Sequence, residues 1–103
     1  FVQPSVTKVG GITEFLNIAT LCKNKNVSLM PHSPYFGPGF LATLQLSSYL
    51  PNPGMIERFY VTPEAYLYPN EIFNPLNGFF SCPDGCGLGK EPDEYVLKDF
   101  KVN

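Results

Sequence analysis

The sequence predicts an α/β fold that forms part of a larger parallel sheet or barrel. Extended and helical patterns alternate over residues 1–61, which is the order of βαβ units with parallel strands. Three such strands with only two helices cannot cover both faces of a parallel sheet. Because the first residue, Phe1, already lies within an extended run, we expect the chain to belong to a longer protein.

The first βα unit begins with a short strand predicted at residues 1–4. Gly10 and Gly11 break the chain, and a helix is expected to follow with Thr13 as its cap and Glu14 at its positive end. The apolar residues of this segment recur at the spacing of one helix face, and they are Phe15, Ile18, Ala19 and Cys22.

The second strand is predicted at residues 27–30 and ends at Pro31-His32. Asn24 or Asn26 is expected to end the preceding helix, because asparagine accepts the left-handed conformation common at helix ends. The unit is therefore strand, helix, strand, joined by a right-handed crossover.

The pattern then repeats once. A helix is predicted over residues 40–50 and is stopped by the proline-rich residues 51–54. Its expected buried stripe is Leu41, Leu44 and either Gln45 or Ser48. A third strand is predicted at residues 55–61, although Glu57 and Arg58 interrupt its apolar pattern and need a structural reason.

Beyond Thr62 the βα alternation stops. Asn77-Gly78 is a dipeptide typical of a tight turn between two extended segments. Residues 93–100 are expected to form one last short helix.

Composition and charge exclude several classes of protein. A net charge of −2 and a pI near 5.2 argue against nucleic-acid and anionic-membrane partners. No apolar run reaches the roughly 18 residues of a membrane span, and no signal peptide is visible. Three cysteines are too few and too unevenly spaced for a disulfide scaffold or a typical zinc site, so we expect free thiols.

Three polar residues fall at or near predicted strand ends, and they are Ser5, His32 and Glu57. In parallel α/β barrels the chemistry lies at the carboxyl ends of the strands. Histidine exchanges protons near neutral pH, which suits a general acid or base. The alternatives left open are a surface histidine in a loop and a solvated glutamate paired with Arg58.

Four segments together carry a resemblance to the enolase superfamily, mandelate racemase type. Residues 2–14 resemble its sixth-strand signature, and residues 29–33 resemble its seventh strand, which ends in the catalytic histidine. Residues 55–58 resemble its eighth strand, which ends in a glutamate. Residues 83–89 resemble its Pro-Gly-Leu-Gly segment, with Cys86 in place of the usual proline.

The resemblance implies strands six to eight, with two helices, of a (β/α)7β TIM-like barrel. Residues 1–61 would form the C-terminal part of the catalytic barrel. Residues 62–103 would form an extension that packs on the barrel and returns to a capping domain. The implied partners are the remainder of the barrel, the capping domain and a second copy of the chain in a homo-oligomer, in a cytoplasmic enzyme.

The resemblance also implies an enzyme that abstracts the proton α to a carboxylate and stabilises the product on Mg²⁺. His32 would be the acid or base, and Glu57 would hydrogen-bond the substrate carboxylate. Lys8 would support the end of the sixth strand, and the Mg²⁺ ligands would lie outside this chain. An acid-sugar dehydratase is expected ahead of a racemase, and a catalytically altered relative or a non-catalytic binding module is the competing reading.

Ser5 departs from the family pattern, which has an aspartate beside the histidine or, in the muconate-lactonising type, a lysine at this position. Serine brings a hydrogen bond but no charge. Three possibilities follow: another carboxylate partners His32, His32 acts mainly as an acid, or the activity is altered.

Overall fold

The computed structural model describes residues 1–52 and 54–102. Pro53, one of the residues predicted to stop the second helix, lies outside this part. Three α-helices are present in the described residues, and they are α1 (Ile12–Asn24), α2 (Pro38–Tyr49) and α3 (Glu94–Asp99), with a 3₁₀ helix at Asn70–Phe73. No helix in the described part of the chain is both long and apolar enough to cross a lipid bilayer.

The first two predicted strands pair in parallel, but the pairing is short. The Val2 N–H donates to the Ser28 carbonyl, the Met30 N–H donates to the Val2 carbonyl, and the His32 N–H donates to the Pro4 carbonyl, at 2.9, 2.9 and 3.1 Å. Proline has no N–H, so Pro4 cannot donate the next bond of the ladder. Only one isolated parallel bridge, Val2 with Leu29, results instead of two regular strands.

Helix α1 follows the predicted face but begins two residues earlier than a cap at Thr13 would place it. Gly11, with a φ of 99°, precedes the first helical residue and no side chain caps the helix, so the prediction of Thr13 as cap is wrong. Phe15 and Cys22 are buried against Val6 and Leu29. The helix ends at Asn24, and Asn26 takes the left-handed conformation with a φ of 52°.

Helix α2 is buried on most of its circumference: Leu41 and Leu44 of the predicted stripe are buried, but the buried surface extends well beyond that stripe. Its buried residues include all of positions 40–44 and also Leu46 and Ser47, whereas Ser48 is exposed. The helix lies between two hydrophobic clusters: Ala42 and Leu46 pack toward α1, and Leu41 and Leu44 pack toward Phe73. Being covered on both sides removes the need for a polar face.

The third predicted strand, residues 55–61, is extended but has no paired ladder, so the prediction of a regular strand is wrong. Farther along the chain, the predicted turn at Asn77-Gly78 is confirmed. Both residues have positive φ, and Leu76 and Phe79 exchange two backbone hydrogen bonds across the turn. The last predicted helix is confirmed as α3, whose cap Asp93 accepts hydrogen bonds from the Tyr95 and Val96 N–H groups.

The segment after residue 62 is anchored to α2. Gln45 donates from Nε2 to the Pro83 carbonyl at 2.9 Å, and Tyr68 and Phe73 are buried against Phe40. Leu88 packs against both hydrophobic clusters. Helix α2 is therefore the element that joins the two halves of the chain.

Candidate active site

The side chains of His32 and Glu57 meet at the end of the paired segments. His32 Nδ1 lies 2.8 Å from Glu57 Oε2, and the two side chains are 36% and 40% exposed. A carboxylate only accepts hydrogen bonds, so the short contact assigns the proton to Nδ1. In the neutral ring, the other nitrogen, Nε2, then carries the lone pair.

Backbone pairing explains why His32 is held here. Its N–H donates to the Pro4 carbonyl, which places it at the end of the parallel pair. The fully buried Ser33 follows, and its hydroxyl donates to the Glu57 carbonyl at 2.9 Å. This one bond fixes residue 57 beside residue 32, although residues 55–61 form no ladder with their neighbour.

Ser5 does not hydrogen-bond the imidazole of His32. Its hydroxyl oxygen, in a residue that is 4% exposed, lies 3.0 Å from Thr7 Oγ1 and 3.2 Å from the Tyr35 hydroxyl. The Tyr35 hydroxyl donates in turn to the His32 carbonyl at 3.1 Å. Ser5 therefore reaches His32 only through Tyr35, and its contact is with the backbone.

The two remaining charged residues of interest lie elsewhere. Lys8 is exposed on the turn after Ser5, and its side chain makes no hydrogen bond or ion pair within residues 1–52 and 54–102. Arg58 does not pair with Glu57. It donates to the Phe73 carbonyl and to Asn74 Oδ1, at 3.0 and 2.6 Å. Arg58 thus fastens the 3₁₀ helix, which is the structural reason for a charge beside Glu57.

The described residues do not fit a divalent metal site. Among them, no three histidine, cysteine or acidic side chains lie close enough to share an ion. The His32–Glu57 pair offers one carboxylate, whereas Mg²⁺ requires an octahedral shell of oxygen ligands. The three cysteines, Cys22, Cys82 and Cys86, are free thiols, as predicted.

The comparison with protein families decides the identity of the fold. Residues 1–96 match the family described as enolase C-terminal domain-like. The chain belongs to this enolase C-terminal domain-like family. The resemblance drawn from the four sequence segments is thereby confirmed. Membership implies the C-terminal part of a TIM-like barrel, although regular barrel strands are not formed in the described residues.

A characterised relative of this enolase-like chain is the D-galactarolactone cycloisomerase of Agrobacterium fabrum. It is 29% identical over 110 aligned residues, which cover 98% of this chain and 29% of the relative. The enolase-like chain thus spans less than a third of the length of that enzyme. No solved structure matches the chain.

Sequence reasoning named Ser5, His32 and Glu57 but missed the groups that hold them in place. Tyr35 lies in a glycine- and proline-rich stretch at residues 35–39, and Thr7 and Ser33 carry no pattern of their own. Tyr35 contacts Ser5 across 30 residues of sequence, and Ser33 contacts the Glu57 carbonyl across 24, so no local pattern marks either contact. One signal was present in the sequence: a serine where the family has an aspartate calls for another partner for the histidine.

Proposed function

We propose that this chain is the part of an enolase-superfamily enzyme that removes the proton α to the carboxylate of an acid sugar. His32 Nε2 is the base, and Glu57 is the carboxylate that orients it. The observation that carries the proposal is the 2.8 Å contact between His32 Nδ1 and Glu57 Oε2. Family membership supports the reaction class, and the relative supports an acid-sugar substrate.

The pair suits a proton-transfer reaction because its two ends have different tasks. Glu57 accepts a hydrogen bond from Nδ1–H. This bond favours the tautomer in which Nε2 has no proton and can take one from the substrate. When Nε2 gains that proton the ring becomes positively charged, and the adjacent carboxylate stabilises the charge. This is the first of the three possibilities opened by Ser5: a carboxylate from another segment partners the histidine. The other role predicted for Glu57, a hydrogen bond to the substrate carboxylate, would need Glu57 to be protonated and stays a prediction.

The leaving group decides between isomerisation and dehydration. In a γ-lactone of a hexaric acid, the carbon next to the free carboxylate carries the acidic hydrogen, and the following carbon carries the lactone oxygen. His32 takes the hydrogen, the electron pair forms a carbon–carbon double bond, and the bond to the lactone oxygen breaks. The released carboxylate stays attached to the same molecule, and the enol regains a proton to become the ketone. The overall change is an isomerisation.

Dehydration is the second candidate, because it shares the first step and differs only in losing a β-hydroxyl as water. One histidine can take the α-proton and then protonate the departing oxygen on the same face. Racemisation is the alternative: it needs bases on both faces of the substrate, and His32 is the one base proposed on this chain. We therefore propose lactone-opening isomerisation first and dehydration second. Members of the superfamily use Mg²⁺ to stabilise the developing negative charge, and this chain's described residues supply no site for it.

The proposal is tested with the complete enzyme that carries this chain, supplied with Mg²⁺. The substrates are D-galactarolactone and the open-chain acid sugars, and products are followed by mass spectrometry. Isomerisation gives a product of unchanged mass, and dehydration gives a product lighter by one water. If neither product forms and no α-hydrogen is exchanged for deuterium in D₂O, the proposal is wrong.

A further inference from the structure

We infer that Tyr35 is a positioning residue for His32, and that Thr7, Ser5 and Tyr35 form a directed chain of hydroxyl groups that does this positioning. The inference rests on the proposed function, because it concerns the accuracy with which Nε2 is held. The chain runs from Thr7 Oγ1 to Ser5 Oγ to the Tyr35 hydroxyl and ends on the His32 carbonyl, with separations of 3.0, 3.2 and 3.1 Å.

The direction of donation along the three hydroxyl groups follows from the last acceptor, the His32 carbonyl. A carbonyl oxygen can only accept, so the single hydroxyl proton of Tyr35 is committed to His32. The Tyr35 oxygen must then accept a hydrogen bond from the Ser5 hydroxyl, and the Ser5 oxygen must accept one from the Thr7 hydroxyl. Each hydroxyl proton is used once, and Ser5 and Tyr35 each accept one hydrogen bond and donate one. Hydroxyl chains of this kind polarise one another and behave as a unit.

Packing also holds the three hydroxyl-bearing side chains in place. Ser5 is buried, and the Tyr35 ring and the Thr7 methyl group both lie against Gly39 in the first turn of α2. A methyl group added at Gly39 would approach Tyr35 Cε2 to 3.0 Å and would collide with Thr7 Cγ2. Only glycine at this position lets both hydroxyl-bearing side chains reach their places. The position of Gly39 in α2 therefore leaves the space that the Tyr35 ring and the Thr7 methyl group occupy.

The result is that every polar group of His32 except Nε2 is bound. Its N–H is bound to Pro4, its carbonyl to Tyr35 and its Nδ1 to Glu57. In the family pattern a carboxylate at position 5 orients the imidazole directly. Here the same position acts on the backbone of the histidine through Tyr35, while the side-chain role has moved to Glu57.

The test uses Tyr35→Phe in the complete enzyme, with Tyr49→Phe as the matched control, because Tyr49 is 76% exposed and its hydroxyl makes no hydrogen bond among the described residues. Loss of positioning is expected to lower kcat roughly tenfold and to leave KM within about twofold, since ground-state binding does not need an accurately placed Nε2. Tyr49→Phe is expected to match the wild type. A Tyr35→Phe enzyme with wild-type kcat, or one in which only KM changes, overturns the inference.

A second measurement separates positioning from general damage to the fold. Ser5→Ala and Tyr35→Phe are combined in one double variant. If the three hydroxyl groups act together, the kcat of the double variant is no lower than that of Tyr35→Phe alone, because both substitutions break the same series of hydrogen bonds. Thr7→Ser keeps the first hydroxyl and is expected to keep full activity, whereas Thr7→Val is not. Additive losses in the double variant overturn the inference.

The same experiments distinguish this inference from the proposed function. His32→Asn is measured alongside the other variants. If His32→Asn is inactive and Tyr35→Phe is fully active, the positioning role is wrong and the proposed function stands. If His32→Asn remains active, the proposed function itself is wrong.

Discussion

The hydroxyl of Ser33 donates a 2.9 Å hydrogen bond to the backbone carbonyl of Glu57. This bond joins two segments that share no backbone ladder, and it lies one residue beyond His32. It sets the distance between the two halves of the candidate pair, so accurate geometry at an exposed site depends on one fully buried side chain.

Ser33→Ala should therefore destabilise the protein and loosen the site together. Losing this hydrogen bond costs about 0.5–1.5 kcal/mol of the free energy of unfolding, because Glu57 is an exposed residue. The thermal midpoint and kcat of the complete enzyme should both fall. The control is Ser81→Ala, which removes an exposed hydroxyl. Equal midpoints and rates in the two variants would contradict the role given to Ser33.

Glu57→Gln should slow catalysis without abolishing it. The amide oxygen can still accept the Nδ1 proton of His32, but it brings no charge to stabilise the ring once Nε2 is protonated. We expect kcat to fall by roughly tenfold, less than for His32→Asn. Glu64→Gln, at an exposed position, is the matched control. A rate equal to the wild type would show that Glu57 does not act on His32.

Ser5→Asp should lower activity, although it restores the residue of the family pattern. An aspartate here would accept from both Thr7 and Tyr35 and would draw the Tyr35 hydroxyl away from the His32 carbonyl. It would also place a charge in a position that is 4% exposed. The kcat of Ser5→Asp compared with Ser5→Asn checks this, and the charged variant should be the slower. An increase in kcat for Ser5→Asp would mean that position 5 acts directly on the imidazole.

The 103-residue chain by itself should not fold cooperatively. It exposes 7253 Å², whereas a compact monomer of its mass exposes about 5,800 Å². Its radius of gyration of 14.4 Å also exceeds the roughly 13 Å of a compact domain of this length. Phe1, Tyr60 and Val102 are among the apolar or aromatic side chains left in solvent. Calorimetry should show no sharp transition, and a single cooperative melt would contradict this prediction.

The sequence predicted the helices better than the strands, for physical reasons. Helix α1 is set by local spacing and by Gly10-Gly11, and α3 is set by Asp93. The start of α1 lies within two residues of the prediction, and the bounds of α3 lie within one. The bounds of α2 lie within two residues, but its buried surface depends on segments that are distant in sequence. The strand pairing fails at Pro4 and at residues 55–61, because ladders depend on partners that no local pattern reveals.

The residues of the candidate site also fall into two groups, those that the sequence could predict and those that it could not. His32 and Glu57 could be predicted because strand ends and family motifs mark them, and the structure brings their side chains into contact. The hydroxyl chain through Tyr35 could not be predicted, since serine, threonine and tyrosine are common residues. Only the fold brings Thr7, Ser5 and Tyr35 together.

The most direct test of the central claim is exchange of the α-hydrogen of D-galactarolactone in D₂O, followed by proton NMR with the complete enzyme. If His32 Nε2 takes that hydrogen, the wild type should incorporate deuterium next to the free carboxylate or in the product. His32→Asn should then reduce the exchange rate by roughly 100-fold or more. Exchange by His32→Asn at the wild-type rate would contradict the account, because another group would then be the base.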